Sequence, residues 1–297
     1  MGDRAVRTSG LSLLALIALL FTTPAHAWGF YAHRKTAEIA EVNVSPETRA
    51  KIERLMRSEK LLGTPECDLK TIADASVWPD CVRRTRWRWG YTAAWHYRTA
   101  PICEAYDARR NCPGGSCVTA QIERNHRILA DESLLDQLRL EALAFMVHFA
   151  GDVHMPLHSG DKNDRGGNDR KAAYGIAPGL NLHWIWDGPL AERAISDPAD
   201  PVVRQYSRAE RGDLGGGTPA EWGRESWKIS RDFVYPTAFD TQDVCRQDLP
   251  GETALTQDDI ARSIPIARRR VQQAGVRIAE LLESAFAPGP LPEPARN

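Results

Sequence analysis

Histidine and aspartate recur along this chain at spacings that suit metal ligands. His148 and Asp152 are four residues apart, and so are His183 and Asp187, which places each pair on one face of a helix. Neutral imidazole and carboxylate are the ligands that zinc takes where thiolates are absent. The set is large enough for three zinc ions in one cleft, which predicts a hydrolase of phosphate esters. The candidate ligands are Trp28, His33, Asp80, His96, His148, Asp152, His158, His183 and Asp187.

Several of these residues have an alternative interpretation. The pair of His148 and Asp152 lies in a strongly apolar run, where it could also be a buried ion pair that only packs the core. A proline two residues before His158 should end or bend the helix, which lets that histidine approach from another direction. His154 would face a different way, so we leave it out of the ligand set. Asp74 is a second candidate for the aspartate ligand of its segment.

Residues 1–27 are predicted to be a secretory signal peptide. Arg4 and Arg7 precede a short apolar run, and a small-x-small cleavage pattern ends at Ala27. An uncleaved N-terminal anchor is the alternative, although the run is short for a membrane span. Cleavage would make Trp28 the first residue. A freed α-amine with a pKa near 8 can then chelate a metal together with its own carbonyl oxygen.

The charge of the mature chain limits the classes of partner. Removing the signal peptide leaves 36 basic and 38 acidic residues, from totals of 38 and 39. A balance this close to neutral lacks the electrostatic footprint of a duplex-DNA-binding protein. It leaves a nucleic-acid substrate open, because bound zinc would supply positive charge where a phosphate docks. No later apolar run is long enough to span a bilayer, so we expect no stable membrane insertion, and we expect a monomer.

The six cysteines all follow the predicted cleavage site. In an oxidising compartment an even number of cysteines favours disulfides over thiolate zinc sites, and the chain has no CxxC pair. Cys112 and Cys117 flank a Pro-Gly-Gly turn and look like a local clip. Composition alone leaves the other pairings open.

Helical patterns dominate the chain, and strand patterns are weak. Residues 160–179 and 209–219 are rich in glycine and are predicted to be loops, with 161–170 forming a mobile rim over the cleft. We predict one mainly α-helical domain over residues 28–287 and a proline-rich flexible tail over 288–297. The predicted helices cover residues 32–42, 46–57, 118–129, 134–152, 226–235 and 264–286.

These motifs together resemble the zinc-dependent single-strand-specific nucleases of fungi, plants and bacteria, and more distantly the bacterial zinc phospholipases C. The matching segments run in the family's order across most of the chain. They are Trp28-Gly29 with His33, Ser76-Val77-Trp78-Pro79-Asp80, Trp95-His96-Tyr97, Val147-His148-Phe149-Ala150-Gly151-Asp152, Pro156-Leu157-His158, Gly166-Gly167-Asn168, and Asn181-Leu182-His183 with Trp186-Asp187.

The resemblance implies a mainly helical fold, with three zinc ions at the bottom of a cleft. It assigns Asp80, His96, His148 and Asp152 to a first zinc. The amine and carbonyl of Trp28, with His33 and a bridging Asp152, would hold a second. His158, His183 and Asp187 would hold a third. It also implies disulfides between Cys103 and Cys245 and between Cys112 and Cys117, with Cys67 and Cys81 left to pair with each other.

The activity so implied is hydrolysis of phosphodiester bonds in single-stranded DNA and RNA to 5′-phosphate products, together with 3′-nucleotidase activity. A hydroxide shared by two zinc ions would attack phosphorus in line, so the metal ligands Asp80 and Asp152 would carry the reaction. Arg83 could bind a phosphate oxygen or be an ordinary surface arginine. Tyr97 could stack a nucleobase or pack the core. Thr99 stands where fungal relatives carry an acidic residue, which leaves the base preference open.

Two other functions remain. A zinc phospholipase C would use glutamate in the last ligand pair, where this chain has Asp187. A non-catalytic periplasmic zinc-binding protein would be expected to carry a flexible histidine-rich tract, and this chain has none.

Overall fold

The computed structural model describes residues 28–287. The predicted signal peptide and the proline-rich tail lie outside the described residues. The helices are α1 (Phe30–Asn43), α2 (Pro46–Met56), α3 (Ile72–Ala75), α4 (Trp78–Val82), α5 (Arg86–Trp89), α6 (Val118–Ala130), α7 (Asp136–Asp152), α8 (Leu182–Asp187), α9 (Pro189–Ile195), α10 (Arg208–Leu214), α11 (Pro219–Ile229), α12 (Tyr235–Ala238) and α13 (Gln257–Phe286). The mainly α-helical fold predicted from the sequence is confirmed.

Helix α7 lies at the centre of the fold. From Ala142 to Asp152 each of its side chains is buried, because apolar residues occupy all of its faces. It packs against α6, α3, α4, α2 and α13. An amphipathic surface helix would show only one face to the core, so the continuous apolar run accounts for the central position. The last turn of α7 carries His148 and Asp152 into the interior.

The long C-terminal helix α13 covers the other helices. Its buried residues Ala267, Val271, Ala274, Ile278 and Leu282 follow a spacing of three and four, and they face α1, α6, α7 and α9. The helix begins seven residues before the predicted start at 264. A capping box of Thr256 and Asp259 opens it, and the packed face carries it past an internal proline.

One further helix prediction was wrong at its boundary, and one predicted loop was wrong. A capping box of Thr218 and Glu221 opens α11 at Pro219, whereas the sequence predicted a start at residue 226. Its continuation is a π-helical turn over Ser230–Val234 followed by α12. The predicted loop over 209–219 contains most of α10, which begins at a capping box of Ser207 and Glu210. In each case a local cap outweighed the neighbouring glycines.

Within residues 28–287, five short strands form two small sheets. Strands β1 (Ala100–Pro101) and β2 (Gly160–Asp161) pair in parallel. Strand β3 (Lys171–Tyr174) lies between antiparallel β4 (Ala177–Asn181) and parallel β5 (Glu252–Leu255). Residues 160–179 therefore include a hairpin as well as loop. The β3–β4 pair leads straight into α8, which carries two of the candidate ligands.

Three disulfides join the described cysteines. Cys103 is bonded to Cys245, and Cys112 to Cys117. A third disulfide joins Cys67 to Cys81, the residue after Asp80. Each pair has a Cα–Cα distance between 5.0 and 5.8 Å, within the ordinary range for a disulfide. None of the helices within residues 28–287 is long and apolar enough to cross a membrane.

Candidate metal centre

The first group of candidate ligands (Asp80, His96, His148 and Asp152) meets at the end of α7. His96 Nδ1 lies 3.1 Å from Asp152 Oδ2 and 3.7 Å from Asp80 Oδ1. His148 Nε2 lies 3.2 Å from the same Asp152 oxygen and 3.9 Å from Asp80 Oδ1. All four side chains are buried. Two nitrogens and two carboxylate oxygens therefore converge from three separate parts of the chain.

The second group (Trp28, His33 and Asp152) uses the other carboxylate oxygen of Asp152. His33 Nε2 on α1 lies 3.2 Å from Asp152 Oδ1, and its ring stacks on that of His148 with centroids 4.2 Å apart. The indole of Trp28 is buried and donates a 2.8 Å hydrogen bond to the carbonyl of Gly151. Asp152 thus faces the first group with one oxygen and the second with the other, which is the arrangement of a bridging ligand.

The third group (His158, His183 and Asp187) is built by α8 and the turn after α7. His183 Nε2 lies 3.1 Å from Asp187 Oδ2, as the four-residue helical spacing predicts. His158 Nε2 lies 3.8 Å from Asp187 Oδ1. Pro156 begins a short 3₁₀ helix that ends at His158, and this change of direction turns the His158 ring toward α8. The predicted role of the proline is consistent with this geometry.

Backbone carbonyls orient several of these imidazoles. The Nδ1 atoms of His148, His158 and His183 lie 2.6, 2.9 and 2.7 Å from the carbonyl oxygens of Ser76, His96 and Gly166 respectively. A histidine that donates from Nδ1 to a carbonyl keeps Nε2 unprotonated and directed elsewhere. Metal-ligating histidines carry this kind of outer hydrogen bond as a rule. The three rings are therefore set to present Nε2 to the ligand groups.

The spacing of the ligand atoms fits a small divalent cation. Zinc bonds of about 2.0–2.1 Å in a tetrahedron place neighbouring ligand atoms about 3.3 Å apart. The nitrogen-to-oxygen distances within the first and third groups range from 3.1 to 3.9 Å. Among residues 28–287, no hydrogen-bond donor reaches Asp152 Oδ1 or Asp187 Oδ1, although both are buried and each faces a nitrogen of its ligand group. Buried polar atoms of this kind need an explanation, and a cation on the neighbouring ligand atoms supplies one.

The electrostatics of the cluster favour ionised carboxylate and mostly neutral imidazole. Burial opposes ionisation of Asp152, but His148, His33 and His96 hold its pKa well below the ordinary value. Burial lowers the pKa of His158 to about 4. Burial likewise lowers the pKa of His33 and His96. Burial opposes protonation of His148 and His183, but Asp152 and Asp187 raise the pKa of these two imidazoles. Metal binding would release a proton from either ring that carries one, whereas the other three histidines are already in the neutral form that binds metal.

His154 and Asp74 have structural roles. The Nδ1 atom of His154 lies 2.6 Å from the carbonyl oxygen of Ala150, and its Nε2 lies 2.9 Å from the guanidinium of Arg277. Burial and two neighbouring arginines hold its pKa well below the ordinary value, so it is neutral and accepts from Arg277. Asp74 closes the capping box of α3 and pairs with Arg34 at 2.9 Å. This geometry agrees with leaving His154 out of the ligand set and with preferring Asp80 to Asp74 as the aspartate ligand.

A cavity of about 550 Å³ opens above the cluster. His96, His158 and His183 form part of its floor, and Tyr97, 45% exposed, lies on its wall. Arg83 also lines it, 3.2 Å from Asp80 Oδ1. Several other lining residues were not predicted individually from the sequence, although their segment was predicted to form the rim. They are Asp161, Asn163, Arg165 and Asp169.

Comparisons with known proteins agree with the geometry. The sequence matches the family model for S1/P1 nuclease over residues 28–287. Endonuclease 3 of Arabidopsis thaliana is 26% identical, with 93% of this chain and 94% of that protein covered. Nuclease S1 of Aspergillus oryzae is 25% identical over 87% of this chain and 91% of its own length. Nuclease P1 of Penicillium citrinum is 29% identical over 58% of this chain and 61% of its own length.

Proposed function

The chain belongs to the S1/P1 nuclease family, and from that premise we propose that it is an exported zinc-dependent endonuclease of single-stranded DNA and RNA. Hydrolysis of phosphodiester bonds is the activity for which its relatives are named. The observation that supports this function best is the set of three buried groups of histidine and aspartate, two of which contribute histidines to the floor of a cavity of about 550 Å³. We propose that the signal peptide is removed between Ala27 and Trp28.

The first zinc is assigned to Asp80, His96, His148 and Asp152. The second is assigned to the freed amine and carbonyl of Trp28, with His33 and Asp152. The third is assigned to His158, His183 and Asp187. The donor set supports zinc, because it consists of imidazole nitrogens and carboxylate oxygens at tetrahedral spacing and includes no thiolate.

Zinc would supply a water of lowered pKa and positive charge toward phosphate oxygens. The chain itself fixes the geometry. Asp152 presents one oxygen to each of two ligand groups and so sets their separation. Arg83, beside Asp80, would donate to a non-bridging phosphate oxygen. The preorganised carbonyls behind His148, His158 and His183 keep the imidazoles from turning during turnover.

Tyr97 gives a physical reason for preferring unpaired strands. Its half-exposed ring lines the cavity next to His96, so a nucleobase could stack on it while the adjacent phosphate reaches the cluster. A base in a duplex is already stacked and paired, and removing it costs a few kcal/mol. The same site would accept a 3′-nucleotide, whose base and 3′-phosphate have the same relative placement, and would release 5′-phosphate products from a polymer.

The test compares a labelled oligonucleotide as a single strand and as a duplex, with analysis of the product ends. We expect chelator-sensitive cleavage of the single strand, with 5′-phosphate ends and little duplex cleavage. Tyr97→Ala should raise KM by about 5- to 100-fold, since stacking is worth about 1–3 kcal/mol per base. Tyr97→Phe, which keeps the ring, should restore KM. Cleavage of phosphatidylcholine in place of nucleic acid would identify a phospholipase C, and zinc binding without hydrolysis would identify a storage protein.

A further inference from the structure

The rim of the cavity, residues 161–170, is anchored at a buried carboxylate. Asp164 is 2% exposed and lies beneath the rim. Its Oδ1 accepts hydrogen bonds from the Tyr235 hydroxyl at 2.6 Å and from the amide of Gly167 at 2.9 Å. Its Oδ2 accepts from Arg170 Nε at 2.9 Å. The rim is therefore held down at its centre, in contrast to the mobile loop that its composition suggested.

The anchored rim also fixes the position of one backbone carbonyl, that of Gly166. The amide of Gly166 donates to Asp161 Oδ1 at 2.9 Å, and its carbonyl oxygen lies 2.7 Å from Nδ1 of His183. Gly166 has a φ of 61°, and a Cβ at this position would lie 2.2 Å from the carbonyl oxygen of Leu157. Only glycine fits here. The rim thus passes close enough to His183 to fix which of its nitrogens carries the proton.

Tyr235 contributes a buried hydroxyl to this arrangement and does not line the cavity. The residue is fully buried on α12, and its hydroxyl also accepts a 3.3 Å hydrogen bond from the amide of Lys162. Packing alone would be satisfied by phenylalanine, and a buried hydroxyl costs free energy unless it is hydrogen-bonded. Its two bonds join α12 to Lys162 and Asp164, on the N-terminal side of Gly166.

We infer that Tyr235 is a positioning residue for the third metal group: its hydroxyl holds Asp164, Asp164 holds the amide of Gly167, and the adjacent Gly166 carbonyl sets the ring of His183. The inference rests on the proposed function, because it assumes zinc at His158, His183 and Asp187. Loss of an outer hydrogen bond behind a metal ligand typically weakens metal binding by about 10- to 100-fold. The effect should fall on one zinc of the three.

The experiment is a zinc titration of the mature protein in competition with a chelator of known affinity. Tyr235→Phe should weaken one site by about 10-fold or more and leave the other two at wild-type affinity. Tyr206→Phe is the matched control, because Tyr206 is also buried and its hydroxyl donates to the Val202 carbonyl, away from the rim. This control should bind three zinc ions as the wild type does.

Asp164→Ala, which removes the acceptor of the Tyr235 and Gly167 hydrogen bonds, provides a second variant, and it decides the question if Tyr235→Phe does not fold. It should weaken the same single site. Equal weakening of all three sites would indicate general destabilisation and would overturn the inference, as would wild-type titrations for both variants. A wild-type protein that binds fewer than three zinc ions would overturn the proposed function itself, and the inference with it. If the wild-type protein binds three zinc ions, the variants then test the inference about Tyr235 separately from the proposed function.

Discussion

The substitution Gly151→Ala should displace His33, a proposed zinc ligand on α1, without disrupting α7, the helix that contains Gly151. Gly151 lies in the last turn of α7, between the bridging Asp152 and the rest of the core. A Cβ there would stand 2.7 Å from His33 Nδ1 and 2.9 Å from His33 Cε1, where ordinary contacts begin near 3.4 Å. The imidazole must therefore move by about 0.7 Å. Its stacking on His148 leaves little room for a compensating rotation.

The expected effect on activity is larger than the effect on stability. Alanine is favoured over glycine in a helix by about 0.5–1 kcal/mol, while overpacking a core costs about 1–3 kcal/mol. The free energy of unfolding of the metal-free protein should thus fall by no more than about 2.5 kcal/mol. A misplacement of about 1 Å at a catalytic group can cost about 100-fold in rate. We expect kcat/KM on single-stranded DNA to fall by about 10- to 100-fold, with weaker binding of the zinc assigned to His33.

The assay combines steady-state cleavage, zinc titration and denaturant unfolding of the metal-free protein. Gly212→Ala is the matched control, because Gly212 lies in helix α10 and a Cβ there would meet nothing within 4 Å. It should keep wild-type activity and gain up to about 1 kcal/mol of stability. Wild-type zinc affinity and activity in Gly151→Ala would refute the reasoning, since His33 would then tolerate displacement.

Three further predictions concern the N-terminus, pH and a disulfide. A methionine retained ahead of Trp28 should cost one bound zinc and most of the activity, because the α-amine is no longer at Trp28; an extended form with three zinc ions and full activity would exclude the amine ligand. In the metal-free protein His158 should contribute a loss of about 3 kcal/mol in the free energy of unfolding as pH falls from about 6.5 to about 4, because its folded pKa of about 4 keeps it neutral while in the unfolded chain it takes up a proton. The difference in this loss between the wild type and His158→Asn, measured by denaturant unfolding at pH 7 and pH 4.5, isolates that contribution. Removing the Cys103–Cys245 disulfide, which spans 142 residues, should cost about 5 kcal/mol by loop entropy, and an unchanged melting temperature in the Cys-to-Ser double variant would contradict that value.

Much of the candidate ligand set could be predicted because its residue types are chemically distinctive and part of their spacing is local. The pairs His148–Asp152 and His183–Asp187 both lie on single helices, as the four-residue spacing requires. The approach of His33 to Asp152 could not be predicted from spacing, because the two are brought together by packing of α1 against α7. The prediction that His33 and Asp152 share a metal came from the resemblance to the nuclease family.

Element boundaries and the rim were harder to predict from the chain. Glycines near residues 212–217 suggested a loop, but the capping boxes opened by Ser207 and Thr218 begin helices on either side. The rim was predicted to be mobile because charge and glycine dominate its composition. Its anchor depends on Tyr235, which is 71 residues away from Asp164 in sequence. Long-range polar contacts of this kind leave no periodic signal in the sequence.

The most direct test of the account is a zinc count by elemental analysis on mature protein beginning at Trp28, with cleavage of single-stranded DNA and RNA measured on the same sample. The account predicts three zinc ions per chain and nuclease activity that is lost with a chelator and returns with added zinc. One zinc ion or none, in a sample that still cleaves nucleic acid, would contradict it, because the buried histidines and aspartates would then serve only to pack the core.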